Sequence, residues 1–251
     1  MRPRWDSGPG ELKLVRHGES VGNLADTAAR DAGAEVLDLD ARDADVELSD
    51  TGRDQARALR AWVDALGPDD RPTVVVASPY RRAAETAALA LEGLDLQVEY
   101  DERLRERDLG VLDGLTGAGI RARHPEEAER RKKLGKFYYQ PPSGESWADV
   151  AQRVRSLLAD LRFGYDDERV WLFTHQAVIM TFRYVLEGVD ESELLELDGS
   201  TPIPNASVTT FRRSGSFLEL DTFADTAAVD RGDADVTHEE PQPGREDDDV
   251  A

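Results

Sequence analysis

Short apolar runs alternate with amphipathic stretches along most of this chain. Leu12, Leu14 and Val15 form a brief apolar run that ends at Gly18 and Gly22, which predicts a strand followed by a sharp turn. Val74-Val75-Val76 and Val170-Trp171-Leu172-Phe173 are continuous runs, the pattern of strands covered on both faces. Leu94, Leu96 and Val98 alternate as a further strand would. Between them, Ala56, Leu59, Trp62, Val63 and Leu66 recur at three- and four-residue steps behind Ser49, a good N-cap, and Gly67-Pro68 closes that helix. Ser146 caps a second stripe of Trp147, Val150, Val154, Leu157, Leu158 and Leu161. Thr116 to Leu134 has helical charge broken at His124-Pro125, and Val208–Phe211 with Phe217–Leu220 reads as a hairpin through Ser214-Gly215. Strands alternating with helices predict a three-layer α/β/α sandwich with a mostly parallel central sheet. One domain over 12–222 follows, with a flexible N-terminus over 1–11. An acidic tail over 223–251 holds Pro241, Pro243 and Asp247-Asp248-Asp249 and too few apolar residues to fold. Leu24 to Glu47, rich in Ala and Asp with thin apolar content at Val36, Leu37 and Leu39, reads as an insertion, either lid or loop.

Charge narrows the choice of function. A formal net charge of −21 over 251 residues argues against nucleic acid or an anionic membrane as partner, since both require a basic face. Any anion site must be a local positive pocket inside a negative shell. Only four of the 31 basic residues are lysine, a bias produced by GC-rich codon usage or by a salt-rich cytoplasm. With no cysteine, disulfides, thiolate metal sites and a cysteine nucleophile are excluded. Met1 to Gly10 lacks the apolar core of a signal peptide and no stretch approaches 18 apolar residues, so a cytoplasmic protein is expected.

The candidate chemistry sits where strands end. Arg16-His17 closes the first strand and Thr174-His175 closes the Val170 strand. In an open α/β sheet the loops leaving the carboxyl ends frame the ligand crevice. A neutral imidazole can attack phosphorus, and a guanidinium can hold two oxygens of the same phosphoryl group. His17-x-Glu19 is a possible metal half-site, but nothing nearby in sequence completes it, so neither metal nor cofactor is expected. The loop from Asp101 to Asp108 offers Glu102, Glu106 and Asp108 as acids, equivalent on charge alone. Gly135 to Ser146, with Lys136, Phe137, Tyr138, Tyr139 and two prolines, is a basic, aromatic, stiffened loop suited to closing over a phosphorylated carbon skeleton. His124 reads as a surface residue at a helix break, and His238 lies in the acidic tail.

Arg16-His17-Gly18-Glu19-Ser20 followed by Asn23 resembles the signature of the histidine phosphatase superfamily, the phosphoglycerate mutase-like proteins. Four further segments match in order. Leu48 to Ala56 is similar to a landmark whose role is mainly structural. Ser78-Pro79-Tyr80-Arg81-Arg82-Ala83-Ala84-Glu85-Thr86-Ala87 resembles the motif whose arginine holds the phosphoryl group, which by register is Arg82 rather than Arg81. Leu104-Arg105-Glu106 ahead of Gly110 to Gly114 matches the proton-donor pattern and selects Glu106; Thr174-His175 matches the second catalytic histidine. The Tyr138 to Glu145 segment and Gln176 look like the fructose-2,6-bisphosphatase branch, which implies Tyr138, Tyr139 and Gln176 as substrate contacts. The resemblance implies catalytic His17, Glu106 and His175 and phosphate-binding Arg16, Asn23 and Arg82. It implies a metal-independent phosphatase that hydrolyses a small phosphorylated metabolite through a phosphohistidine. A phosphoglycerate mutase-type phosphotransferase is the alternative, and a non-catalytic binding relative a third.

Overall fold

The computed structural model describes residues 2–239. In chain order the elements are β1 (Glu11–Arg16), α1 (Val21–Asp31), α2 (Asp50–Ala65), β2 (Val74–Ala77), α3 (Arg81–Ala90), β3 (Val98–Tyr100), α4 (Gly117–Arg123), α5 (Pro125–Leu134), α6 (Trp147–Leu161), β4 (Arg169–Thr174), α7 (Gln176–Glu187), α8 (Glu191–Ser200), β5 (Val208–Ser214), β6 (Phe217–Asp225) and α9 (Ala227–Arg231). The strands form one six-stranded sheet in the order β3-β2-β4-β1-β5-β6. The first four are mutually parallel, and β5 and β6 run antiparallel at one side.

The continuous apolar runs serve two faces at once. Leu12, Leu14, Val76, Val170 and Leu172 point into a core shared with Trp147, Val150 and Val154 of α6 and with Val178, Ile179 and Phe182 of α7. Their sequence neighbours Val15, Val75, Ala77, Trp171 and Phe173 point the opposite way, onto Leu59 and Val63 of α2 and Ala87 and Ala90 of α3. Strand side chains alternate between faces, so the centres of β2 and β4 are apolar at successive positions to fill both layers. The expected three-layer sandwich is the fold observed.

Four boundaries differ from the sequence reading. Leu94 and Leu96 lie in irregular chain before the strand, packed against the core, and only Val98–Tyr100 pairs with β2. The first part of the expected insertion is helical: the Ser20 hydroxyl accepts the Asn23 N–H while the Asn23 side chain accepts the Ser20 N–H, a reciprocal cap that starts α1 despite its few apolar residues. The N-terminus is tied down rather than flexible, because Trp5 is buried, its N–H donates to the Ser216 carbonyl (2.8 Å), and Arg2 Nε donates to the Leu186 carbonyl (2.8 Å). The proposed tail boundary at 223 falls inside β6, and beyond it Ala228 and Val229 of α9 are buried in the same core layer as α2. Two apolar residues at the right positions were enough to dock a segment whose average composition is acidic. Residues 240–251, with Asp247-Asp248-Asp249, lie outside the described residues.

Candidate active site

Because β1 and β4 are adjacent and parallel, with Arg16 in register with Thr174, both histidines leave the same edge of the sheet side by side. The His17 N–H donates to the Thr174 carbonyl (3.0 Å), and the two imidazole centroids lie 5.1 Å apart. Ser78 follows β2, the neighbour of β4 on the other side, and its hydroxyl lies 2.9 Å from His175 Nε2. That hydroxyl oxygen also accepts the Tyr80 N–H (3.2 Å). His175 Nδ1 is buried and has no hydrogen-bond partner among the described residues.

His17 is held in one tautomer. Its Nδ1 donates to the Gly18 carbonyl (2.7 Å), leaving the Nε2 lone pair available. Burial, reinforced by the positive charges of Arg82 and Arg16, pushes its pKa well below the ordinary histidine value, so the ring is neutral at neutral pH. His175 is shifted in the same direction, by burial and then by Arg82. Gly18 and Gly52 permit this loop to be so tightly backed. A Cβ on Gly52 would lie 1.9 Å from the Glu19 carbonyl oxygen, and one on Gly18 would lie 2.5 Å from the Gly52 carbonyl oxygen. Two side chains that sequence reasoning assigned no role complete the support: the Glu19 N–H donates to Gln55 Oε1 (2.8 Å) and Asn205 Nδ2 donates to the His17 carbonyl (3.2 Å).

The expected phosphate-binding residues converge here. Arg16 is 1% exposed, donates through Nη1 to the Ile203 carbonyl, and keeps a buried Nε with no partner among the described residues. Arg82, also buried, donates to the Asp43 carbonyl (2.6 Å) and pairs with the Asp43 carboxylate (2.8 Å), so the 24–47 segment reaches the pocket through Asp43. Arg81 is exposed and pairs with Glu47 (2.6 Å), away from this arrangement. Asn23 sits in the first turn of α1 with its Nδ2 turned to the pocket, where it donates to Glu239. The helices α1, α3 and α7 are the first to follow β1, β2 and β4, and none has an acid in its first turn; α4 also lacks one, whereas α2, α5, α6, α8 and α9 each carry at least one. Three unopposed helix N-termini thus add positive potential to the arginines in a chain that is otherwise strongly negative.

Of the three acids, Glu106 is the one in the pocket. Burial raises its carboxyl pKa, countered in part by the Arg107 N–H on Oε1 (2.7 Å) and by Arg82. Glu102 and Asp108 are exposed, and Asp108 Oδ1 accepts the Gly110 N–H (2.7 Å) in a turn. Beside Glu106 lies a second polar shelf. Arg107 and Lys136 approach the Trp147 ring at 5.7 and 5.8 Å, Lys136 pairs with Asp198 (3.0 Å), and Gln176 Nε2 donates to Asp198 (3.4 Å). Gln176 Oε1 is buried and has no partner among the described residues.

The two tyrosines are placed differently from the expectation. Tyr139 is 1% exposed, and its hydroxyl donates to buried Glu127 (2.9 Å), so it is part of the packing beneath the loop. Tyr138 is 57% exposed, with its hydroxyl on Glu191 at the start of α8. The shelf is formed instead by Arg107, Lys136 and Gln176. A basic loop with adjacent aromatics does not reveal which of its side chains turn inward. Among the described residues no three His, Asp or Glu side chains are grouped as a metal ion would require, and no helix is long and apolar enough to cross a membrane.

The model of the histidine phosphatase superfamily (branch 1) matches residues 12–226. The chain is 33% identical over 171 residues to a 6-phosphofructo-2-kinase/fructose-2,6-bisphosphatase of Gallus gallus, covering 68% of this chain and 31% of that one, so it spans less than a third of that relative's length. It is 32% identical over 203 residues to a 2,3-bisphosphoglycerate-dependent phosphoglycerate mutase of Methylorubrum populi, covering 77% and 86%. Among solved structures, a mycobacterial glucosyl-3-phosphoglycerate phosphatase in complex with VO3 superposes with a TM-score of 0.67 at 29% identity, covering 85% of this chain and 98% of that one.

Proposed function

The chain belongs to the histidine phosphatase superfamily, branch 1, and from that premise we propose that it is a metal-independent phosphatase acting on a small phosphorylated metabolite through a phosphohistidine on His17. The observation that carries this reading is the opposed tuning of two groups in one pocket: a histidine held neutral, with its free nitrogen fixed by the Gly18 carbonyl, beside a carboxyl group whose pKa is raised. Those are the states that a nucleophile and a general acid require. His17 Nε2 attacks phosphorus in line, forming the N–P bond as the P–O bond to the leaving group breaks. Arg16, Arg82, Asn23 Nδ2 and His175 hold the equatorial oxygens, since positioning and charge stabilisation do most of the work in phosphoryl transfer. Glu106 gives its proton to the departing oxygen, then takes one from the water that cleaves the N–P bond and returns His17 to its starting state. Arg107, Lys136 and Gln176 form the shelf that receives the rest of the substrate.

A mutase would pass the phosphoryl group to a second substrate hydroxyl instead of water, and the 32% identity to the Methylorubrum enzyme favours that alternative. Similarity to the bisphosphatase relative and the phosphatase structure weighs for hydrolysis. The decisive assay follows labelled phosphate from an alkyl phosphate, with EDTA present. Wild type is expected to release inorganic phosphate and to yield an acid-labile label on His17 after rapid quenching, while His17→Ala does neither. Retention of more than about a hundredth of the rate in His17→Ala excludes it as nucleophile. Faster return of label to added phosphoglycerate than to water makes the chain a mutase.

A further inference from the structure

We propose that residues 233–239 form a strap that lays the Glu239 carboxylate in the phosphoryl pocket, where it acts as a built-in competitor of the substrate phosphate. The proposal rests on the reading of that pocket as the phosphate site. Glu239 Oε1 lies 3.3 Å from Arg16 Nη2 and accepts the hydrogen bond of Asn23 Nδ2. Both groups are among those proposed to hold the phosphoryl oxygens. The carboxylate is also close enough to Glu106 and Asp26 to favour their protonated forms.

The strap is seated on buried side chains rather than draped over the surface. The Asn205 N–H donates to the Thr237 carbonyl (2.8 Å), and the Thr237 hydroxyl donates to Asn205 Oδ1 (3.1 Å). Gln55 Nε2 donates to the Asp235 carbonyl (2.7 Å) and the Thr237 hydroxyl (2.9 Å). Gln55 and Asn205 are the same two residues that hold the His17 loop through the Glu19 N–H and the His17 carbonyl. The strap and the catalytic loop thus share their fastenings, and α9 anchors the upstream end through Ala228 and Val229.

The chemistry suits a reversible plug. A carboxylate presents two oxygens and one charge to Arg16 and Asn23, whereas a phosphomonoester near neutral pH presents three oxygens and close to two charges. The substrate is therefore the stronger ligand, and the tether compensates through a high local concentration of the weaker one. A site open for a fraction of the time binds its ligand more weakly by that fraction. If the strap is closed about nine-tenths of the time, its release tightens phosphate binding about tenfold.

The test measures the affinity of orthovanadate by calorimetry, without turnover, on the full chain, on Glu239→Gln, on a chain ending at Val236, and on Asp233→Asn, which removes one negative charge from the strap without touching the pocket. The expected result is about tenfold tighter binding for Glu239→Gln and for the shortened chain, and no change for Asp233→Asn. For an alkyl phosphate, KM should fall by a similar factor in Glu239→Gln while kcat stays the same. Affinity within twofold of wild type in Glu239→Gln overturns the strap while leaving the pocket intact. So does an equal gain in Asp233→Asn, which would trace the effect to net charge. If none of the four proteins binds vanadate, the phosphate-site reading falls and the strap falls with it.

Discussion

Gly52 looks dispensable in sequence, since it lies within a helix where alanine is intrinsically better by about 1 kcal/mol. Propensity alone therefore predicts that Gly52→Ala stabilises the protein. The structure predicts the reverse. The new Cβ would stand 1.9 Å from the Glu19 carbonyl oxygen and 2.9 Å from the Glu19 nitrogen, where ordinary contact begins at 3.4 Å. The atoms in the way are backbone, so the clash is relieved only if the start of α2 and the His17 loop separate by about 1.5 Å. Overpacking of this kind costs about 2 kcal/mol, which in a chain of this size lowers Tm by about 4 to 8 °C. The loop that moves carries His17 and is continuous with Arg16, and a displacement of about 1 Å of a reacting group can cost about a hundredfold in rate. Gly52→Ala should thus lose both stability and kcat/KM, read by thermal unfolding and by turnover of an aryl phosphate. Gly117→Ala is the control, because its Cβ would meet nothing closer than 3.5 Å. If Gly52→Ala keeps kcat/KM within threefold of wild type and melts no lower, the close approach does not position His17.

Further outcomes follow from the site. Burial lowers the pKa of His17 and raises that of Glu106, which favours the neutral imidazole and the protonated carboxyl group together. The kcat/KM profile for an alkyl phosphate should therefore fall on the acid side as His17 protonates, below the ordinary histidine value, and on the alkaline side as Glu106 ionises. Glu106→Gln should remove the alkaline limb and slow the alkyl substrate by about 100- to 10,000-fold, with a much smaller effect on p-nitrophenyl phosphate; a retained limb reassigns the acid. The same histidine shifts make stability depend on pH. A histidine neutral in the fold and protonatable when unfolded contributes stability above about pH 6.5 that is lost as pH falls below it, so Tm should drop between pH 7.5 and 5. Tyr139→Phe should lower stability by about 1 kcal/mol through the lost Glu127 bond while leaving KM unchanged; a severalfold rise in KM would restore Tyr139 to the substrate site.

The strand-end pairs Arg16-His17 and Thr174-His175 were legible because a buried run followed by a tight turn gives position as well as identity, and the sheet order then made them neighbours. Arg82 could be separated from Arg81 only through the family motif that the segment resembles, and the structure buries Arg82 while leaving Arg81 exposed. Gln55 and Asn205 left no comparable trace. Each is one amide with no motif around it, and what makes it matter is burial created by segments far away in the chain. Composition misled for α1 and α9, where a reciprocal cap and two well-placed apolar residues outweighed a polar average. Tyr138 and Tyr139 show the limit of loop chemistry, since adjacent residues in one turn went to solvent and to the core.

The place of β1 in the sheet bears on how the molecule is made. Its partners are Arg169–Thr174 on one side and Val208–Ser214 on the other, so this strand is made well before either of its neighbours. Pairings so distant in sequence slow folding and leave apolar edges waiting in the growing chain. A nascent chain that stops short of Arg169 has neither partner for β1, so the segment carrying His17 stays unpaired until at least the first 169 of these 251 residues have been made.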